Sequence, residues 1–329
     1  MTTTDKLTDS NRTRSIMSVP TRRFLEEARR TPRFSMFDFL HGYTYNRWSH
    51  LYVSLAVSAK KYRLKFAFDL LVNLYTFFLR WLPKNWGIRG ISFEDSYHGK
   101  ALPLDSARQL VSVKESIAIG DLEKIIPYKS AREIILKNPD RIVALNCPCR
   151  SAREHPCLPI DVCLIVGEPF ASFVIEHQPQ RSKWITSEQA VEILESEEER
   201  GHVHHAFFKD AMLGRFYAIC NCCECCCGAI QAHKRGTPML APSGYVARLD
   251  QKACAACGSC ISYCQFNALS MTPDGLHIDT SQCMGCGVCV SHCPQDALSL
   301  QLDAAKGFPL EISQLIKENG GKRPNRSAS

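Results

Sequence analysis

Apolar and polar positions change character several times along the chain. Residues 1–33 are polar, rich in Thr and Arg, and lack a hydrophobic period, which predicts a disordered basic arm. Apolar positions thicken from Phe34, and residues 34–110 are expected to form a helical basic segment. Its densest run, Phe66 to Leu79, lies between Lys65 and Arg80. A helix of that length spans about 21 Å, short of the roughly 30 Å hydrocarbon core of a bilayer. Asp69 and Asn73 interrupt it further, so the expected roles are a buried core helix or an interfacial one. Flanking Lys and Arg, with Trp81 and Trp86, suit lipid headgroups.

Residues 111–244 alternate between the two periods. Ser130 and Glu133 form a capping box for a helix over 131–137, stopped by Asn138-Pro139. Arg141 to Leu145 reads as a strand that delivers the chain into Asn146-Cys147-Pro148-Cys149-Arg150. Leu164–Val166 and Phe173–Ile175 read as further strands. Thr186 with Gln189 caps an acidic helix running to Glu199, stopped by Gly201. Arg215 to Ile219 is a strand again and empties into a run of cysteines. The fold class expected is α+β: a helical basic N-terminal segment, a mixed cysteine-rich domain over 111–244, and a small module over 245–303. Residues 304–329 are expected to give a helix and a disordered tail.

Composition sharpens this outline. Eighteen cysteines among 329 residues gather in tight groups, unlike a disulfide framework. Metal-bound thiolates in a reducing cytoplasm are the better account. Thr21-Arg22-Arg23-Phe24-Leu25 has the arginine pair of an export signal, but Glu26-Glu27 stands where its apolar region belongs. Residues 1–100 hold 17 Lys and Arg against 8 Asp and Glu, whereas the whole chain nets +7. The basic front predicts an acidic redox partner or peripheral contact with an anionic membrane surface. No Gly-rich nucleotide or flavin motif is present, and nucleic acid is not expected.

Eight cysteines carry the most specific pattern. Cys254, Cys257, Cys260 and Cys264 read C-x-x-C-x-x-C-x-x-x-C, and Cys283, Cys286, Cys289 and Cys293 repeat it. Cys264 to Met271 aligns with Cys293 to Leu300 at a constant offset, as Gly258 does with Gly287. This stretch resembles the bacterial ferredoxins that carry two [4Fe–4S] clusters. The resemblance implies that Cys254, Cys257, Cys260 and Cys293 hold one cluster, while Cys283, Cys286, Cys289 and Cys264 hold the other. Gln265 departs from it, standing where a proline is expected. Zinc fits poorly, because it ordinarily takes two separated C-x-x-C pairs or cysteine with histidine.

Ten cysteines lie outside the module. Cys147, Cys149, Cys157 and Cys163 read as one quartet. Cys220, Cys222, Cys223, Cys225, Cys226 and Cys227 form a hexad whose neighbouring side chains cannot all face one ion. Candidate ligands here are Cys147, Cys149, Cys157, Cys163, Cys222 and Cys225, for a third iron–sulfur cluster or zinc. His202, His204 and His205 are expected in a solvated turn, and Arg150 either beside a cluster or at the surface. The function expected is single-electron transfer through two [4Fe–4S] clusters, extended by an additional metal centre. The alternative is an oxidoreductase whose extra cluster is the catalytic site, fed by the ferredoxin module.

Overall fold

The computed structural model describes residues 17–31, 35–54, 97–120 and 134–319, together with Leu122 and Ile125. The expected apolar helix at 66–79 and most of the basic arm lie outside the described residues.

An eight-stranded sheet organises the middle of the chain. Its strands are β1 (Tyr97–Leu102), β2 (Ile117–Ile119), β3 (Ile134–Leu145), β4 (Cys163–Glu168), β5 (Ser182–Ile185), β6 (Val203–Lys209), β7 (Arg215–Cys222) and β8 (Leu240–Ala241). The spatial order is β2-β3-β4-β7-β6-β1-β8, with β5 paired to β3. Every pairing is antiparallel except that of β1 with β8. Alternate residues point to opposite faces of a strand, and the two faces here bury separate cores. Val143, Cys163, Ile165, Val203, Phe207, Tyr217 and Cys222 fill one. Ile142, Ala144, Leu164, Val166, Ala206, Phe208 and Phe216 fill the other.

Helices cover both faces. On the first lie α1 (Val19–Arg30), α2 (Met36–Arg47), and, beyond a helix over Leu104–Val111 (α3) and a single turn over Pro148–Ser151 (α4), α5 (Phe170–His177). The second face receives α3 and α6 (Ser187–Glu199). The capping box of α6 is present, with Gln189 N–H donating to Thr186 Oγ1 and Thr186 N–H donating to Gln189 Oε1.

Three expectations about local structure are corrected. Val19–Arg30 is a helix, not part of a disordered arm: Ser18 caps it, and Phe24, Leu25 and Ala28 share one buried stripe. Phe24 packs edge-on against Phe170 and Phe173, so long-range burial orders a stretch whose other face is charged. Residues 134–137 belong to strand β3 rather than a helix, held by β2 through Ile134–Ile119 and Leu136–Ile117. Phe173–Ile175 is helical within α5, because its apolar residues at 170, 171, 173 and 174 make one helix face against the sheet.

The C-terminal module starts where β9 (Tyr245–Leu249) pairs antiparallel with β12 (Leu298–Leu302). Between them lie the hairpin β10 (Leu269–Thr272) with β11 (Gly275–Ile278) and two single-turn helices. After α7 (Gly228–His233), these are α8 (Ser259–Ser262) and α9 (Val288–Ser291). The repeat is visible in the backbone: left-handed residues recur in register at Ala256 and Gly285, Gly258 and Gly287, Asn267 and Asp296. At Gly285 a Cβ would run into the Tyr245 carbonyl oxygen and Ser243 Oγ, so only glycine fits. A last helix, α10 (Ile312–Asn319), returns to pack on α3 and β2. No described helix is long and apolar enough to cross a membrane.

Candidate metal centres

Each repeat of the C-terminal module wraps a cavity. One is lined by Cys254, Cys257, Cys260 and Cys293. The other is lined by Cys264, Cys283, Cys286 and Cys289. Three cysteines of one copy thus meet the fourth of the other, the grouping that the ferredoxin resemblance implies. The loops before α8 and α9 aim the side chains, and the turn after each helix carries the fourth cysteine across. Backbone N–H groups point at the sulfurs: Ala268 to Cys264 Sγ at 3.2 Å, and, one repeat on, Ala297 to Cys293 Sγ at 3.3 Å. Such donors stabilise thiolate charge and are a lever on cluster potential.

The two cavities differ in surroundings. Cys257 is exposed, with Ala255 and Ala256 beside it. Cys264 and Cys286 instead pack against the core on the first sheet face, where Phe266, Met284 and Val288 are buried. One cavity therefore faces out and the other faces the cysteine-rich domain.

Gln265 explains its own departure from the family pattern. Its Nε2 donates to the Gly201 carbonyl at 2.9 Å, and its Oε1 accepts from Glu224 N–H at 2.7 Å. Tyr263 stacks on His292 at 3.8 Å beside Gly201, and Ser291 donates to Glu198 at 2.7 Å. A proline offers none of these side-chain bonds. Gln265→Pro is expected to weaken docking by about 1–2 kcal/mol, from two bonds of ordinary strength. The check is hydrogen exchange: amides of 223–227 and 263–267 should exchange faster, while those of β3 and β4 stay unchanged.

Outside the module, the ten cysteines regroup across the sequence. Cys157, Cys223, Cys225 and Cys226 place their sulfurs all within 4.8 Å of one another. Cys157 N–H donates to Cys226 Sγ at 3.5 Å, and Cys157 Sγ lies 3.0 Å from Cys225 Sγ. The expected quartet of Cys147, Cys149, Cys157 and Cys163 is therefore split. The loop after α4, carrying Pro156 and Pro159, takes Cys157 away from its sequence neighbours to the turn after β7. Cys223 and Cys226 join it although neither was among the expected ligands; only the density of the hexad pointed to them. Cys147, Cys149, Cys163 and Cys222 gather elsewhere, with Cys220 and Cys227.

The four thiols shift one another's acidity. Burial, reinforced by the hydrogen bond to Cys225, pushes the Cys157 thiol up to about 12. The Cys225 thiol moves the other way: burial opposes this, but hydrogen bonds from Cys157, Cys223 and Cys226 lower it. Four thiols so placed share protons, which a metal displaces on binding. Around one tetrahedral ion with bonds of about 2.3 Å, thiolate sulfurs stand about 3.8 Å apart. The irons of a cubane hold its ligating sulfurs farther apart than that. Among the described residues, neither ferredoxin quartet is gathered within 4.8 Å, and the Cys157 group is.

Two buried polar features lie behind these thiols. Arg150 is almost wholly buried, pairs with Glu197, and donates to Asn221 O at 3.1 Å. Its ring partner is His202 Nδ1 at 3.0 Å, itself 2.7 Å from Glu197 Oε2. His202, His204 and His205 are buried and not in a solvated turn, since His204 and His205 belong to the central strand β6. His155 is exposed beside Cys157.

The comparison with curated proteins found no match to the chain. Residues 247–300 match the family model of a 4Fe-4S dicluster domain, which covers all eight cysteines of the repeat and supports [4Fe–4S] binding by this module.

Proposed function

We propose that the protein is a single-electron carrier. Its ferredoxin module holds two [4Fe–4S] clusters, and Cys157, Cys223, Cys225 and Cys226 hold a further metal ion. The grouping of the eight repeat cysteines around two cavities, three from one copy and one from the other, carries this reading. Iron–sulfur clusters supply one-electron chemistry; the chain surrounds the thiolates with N–H donors and sets how much water reaches each site.

Exposure gives the transfer a direction. The cavity with Cys257 at its mouth is the side a redox partner approaches, and the cavity with Cys264 faces the cysteine-rich domain. The four-thiol ion sits on the loop that Gln265 grips, so it braces the junction between module and domain. A basic N-terminal segment attracts an acidic partner or an anionic membrane surface, at a cytoplasmic location.

Metal and acid-labile sulfide counting on the whole chain, purified without oxygen, tests the reading. The module requires about eight iron and eight sulfide. Reduction should produce the magnetic signature of two neighbouring spins in electron paramagnetic resonance. Fewer than about four iron, or the absence of any signal on reduction, would rule the carrier reading out.

A further inference from the structure

Six more thiols converge on the sheet face that the ferredoxin module covers. Cys147 and Cys149 flank the start of α4, Cys163 begins β4, Cys220 and Cys222 end β7, and Cys227 precedes α7. Cys163 Sγ lies 3.9 Å from Cys220 Sγ and also contacts Cys147. From Cys147 the contacts run on to Cys149, then Cys227, then Cys222. All six are free of disulfide bonds, and Cys147, Cys163, Cys222 and Cys227 are buried.

We propose that these six cysteines hold a polynuclear iron–sulfur cluster, separate from the two of the ferredoxin module and from the four-thiol ion. One tetrahedral ion takes four thiolates, and six contiguous thiols exceed that. The six thiols form a chain of neighbours, and they do not meet the tight mutual spacing of the Cys157 group. Neighbouring pairs suit two thiolates on one metal, and several such pairs suit several metals.

The surroundings join these thiols to the ferredoxin module. His205, fully buried, faces Cys222, and among the described residues neither of its ring nitrogens finds an oxygen or nitrogen partner. On its other side His205 meets Phe266 with ring centres 6.3 Å apart, two residues beyond the ferredoxin ligand Cys264. Tyr45 and Tyr217, with hydroxyl oxygens 3.4 Å apart, close the pocket near Cys220. A cluster on these thiols, in the same core as a ferredoxin cavity, is placed to exchange electrons with it.

The whole chain, purified without oxygen, is the test sample, measured for iron, zinc and sulfide and by Mössbauer spectroscopy. Iron should exceed the module's about eight by at least two, with sulfide also above about eight. The Cys149→Ser/Cys227→Ser variant should lose that excess of iron and sulfide together. It should keep the module's spin signature. Cys163→Ser/Cys220→Ser approaches the same pocket from the opposite side, in case the first variant does not fold. The wild-type Mössbauer spectrum needs neither variant. A total near eight iron, excess iron without excess sulfide, or more than one zinc per chain would each overturn the proposal. Failure of the ferredoxin reading looks different: the module's own iron is then missing.

Discussion

Serine at Cys264 is expected to destroy the cluster of the second repeat and leave that of its own repeat intact. The Cys264→Ser protein should lose about four iron, or retain a three-iron remnant, in the cavity walled by Cys283, Cys286 and Cys289. Combining variants makes the result decisive. Cys264→Ser with Cys286→Ser should lose no more iron than either alone, because both touch one cavity. Cys264→Ser with Cys257→Ser should lose about eight, because Cys257 lines the other. If the first pair removed both clusters and the second pair only one, each repeat would ligate its own cluster and the crossover would be wrong. Additivity across separate sites and its failure within one site make the pattern readable without a structure of each variant.

Removing the Arg150 side chain should be the most damaging change away from any cysteine. Breaking a buried ion pair by deleting one partner typically costs about 3–5 kcal/mol, because a charge stays behind in the interior. Arg150→Met leaves Glu197, wholly buried, with His202 and the more exposed Arg200 as its ionic partners among the described residues. Chemical denaturation should show the loss, and Arg150→Met/Glu197→Leu should recover much of it. A loss under about 1 kcal/mol for Arg150→Met would mean that the pair is not held as charges. Burial alone raises the Glu197 carboxyl, but hydrogen bonds from His202 and Arg150 outweigh it and hold its pKa below the ordinary 4.5. A depressed carboxylate stabilises the fold above that value, and the contribution is lost as pH falls through the folded-state pKa. The wild type should therefore weaken with acid below about pH 4.5 more than the double variant does.

The ferredoxin module was almost entirely legible in the sequence, because its ligands lie close together and repeat. The same holds for α6, whose capping box is local. Where the sequence reading went astray, distant partners decide the outcome. Phe173 sits in a short apolar run that suits strand or helix; only Phe24 and the sheet beneath it settle the choice. Residues 134–137 carry helical signals but are claimed by strand pairing with β2. Cys157 follows Cys149 closely in the chain, yet its neighbours in space arrive from a loop 66 residues later, at Cys223. Grouping cysteines by proximity in the chain works where a loop wraps its own cluster and fails where a sheet brings two loops together. Gln265 showed as an irregularity, and its role needed the position of Glu224.

Adjacent cysteines in the segment 222–227 face different ways. Cys222 and Cys227 turn toward the six-thiol pocket, while Cys223, Cys225 and Cys226 turn toward Cys157. A stretch of four residues is thus tethered at both ends by side chains committed to the opposite pocket. Whichever pocket is filled first removes most of the loop's freedom, so the second closes at a reduced entropic cost. Loading of the two should be cooperative, with partly loaded molecules scarce, and damage at one pocket should spread to the other through two peptide bonds.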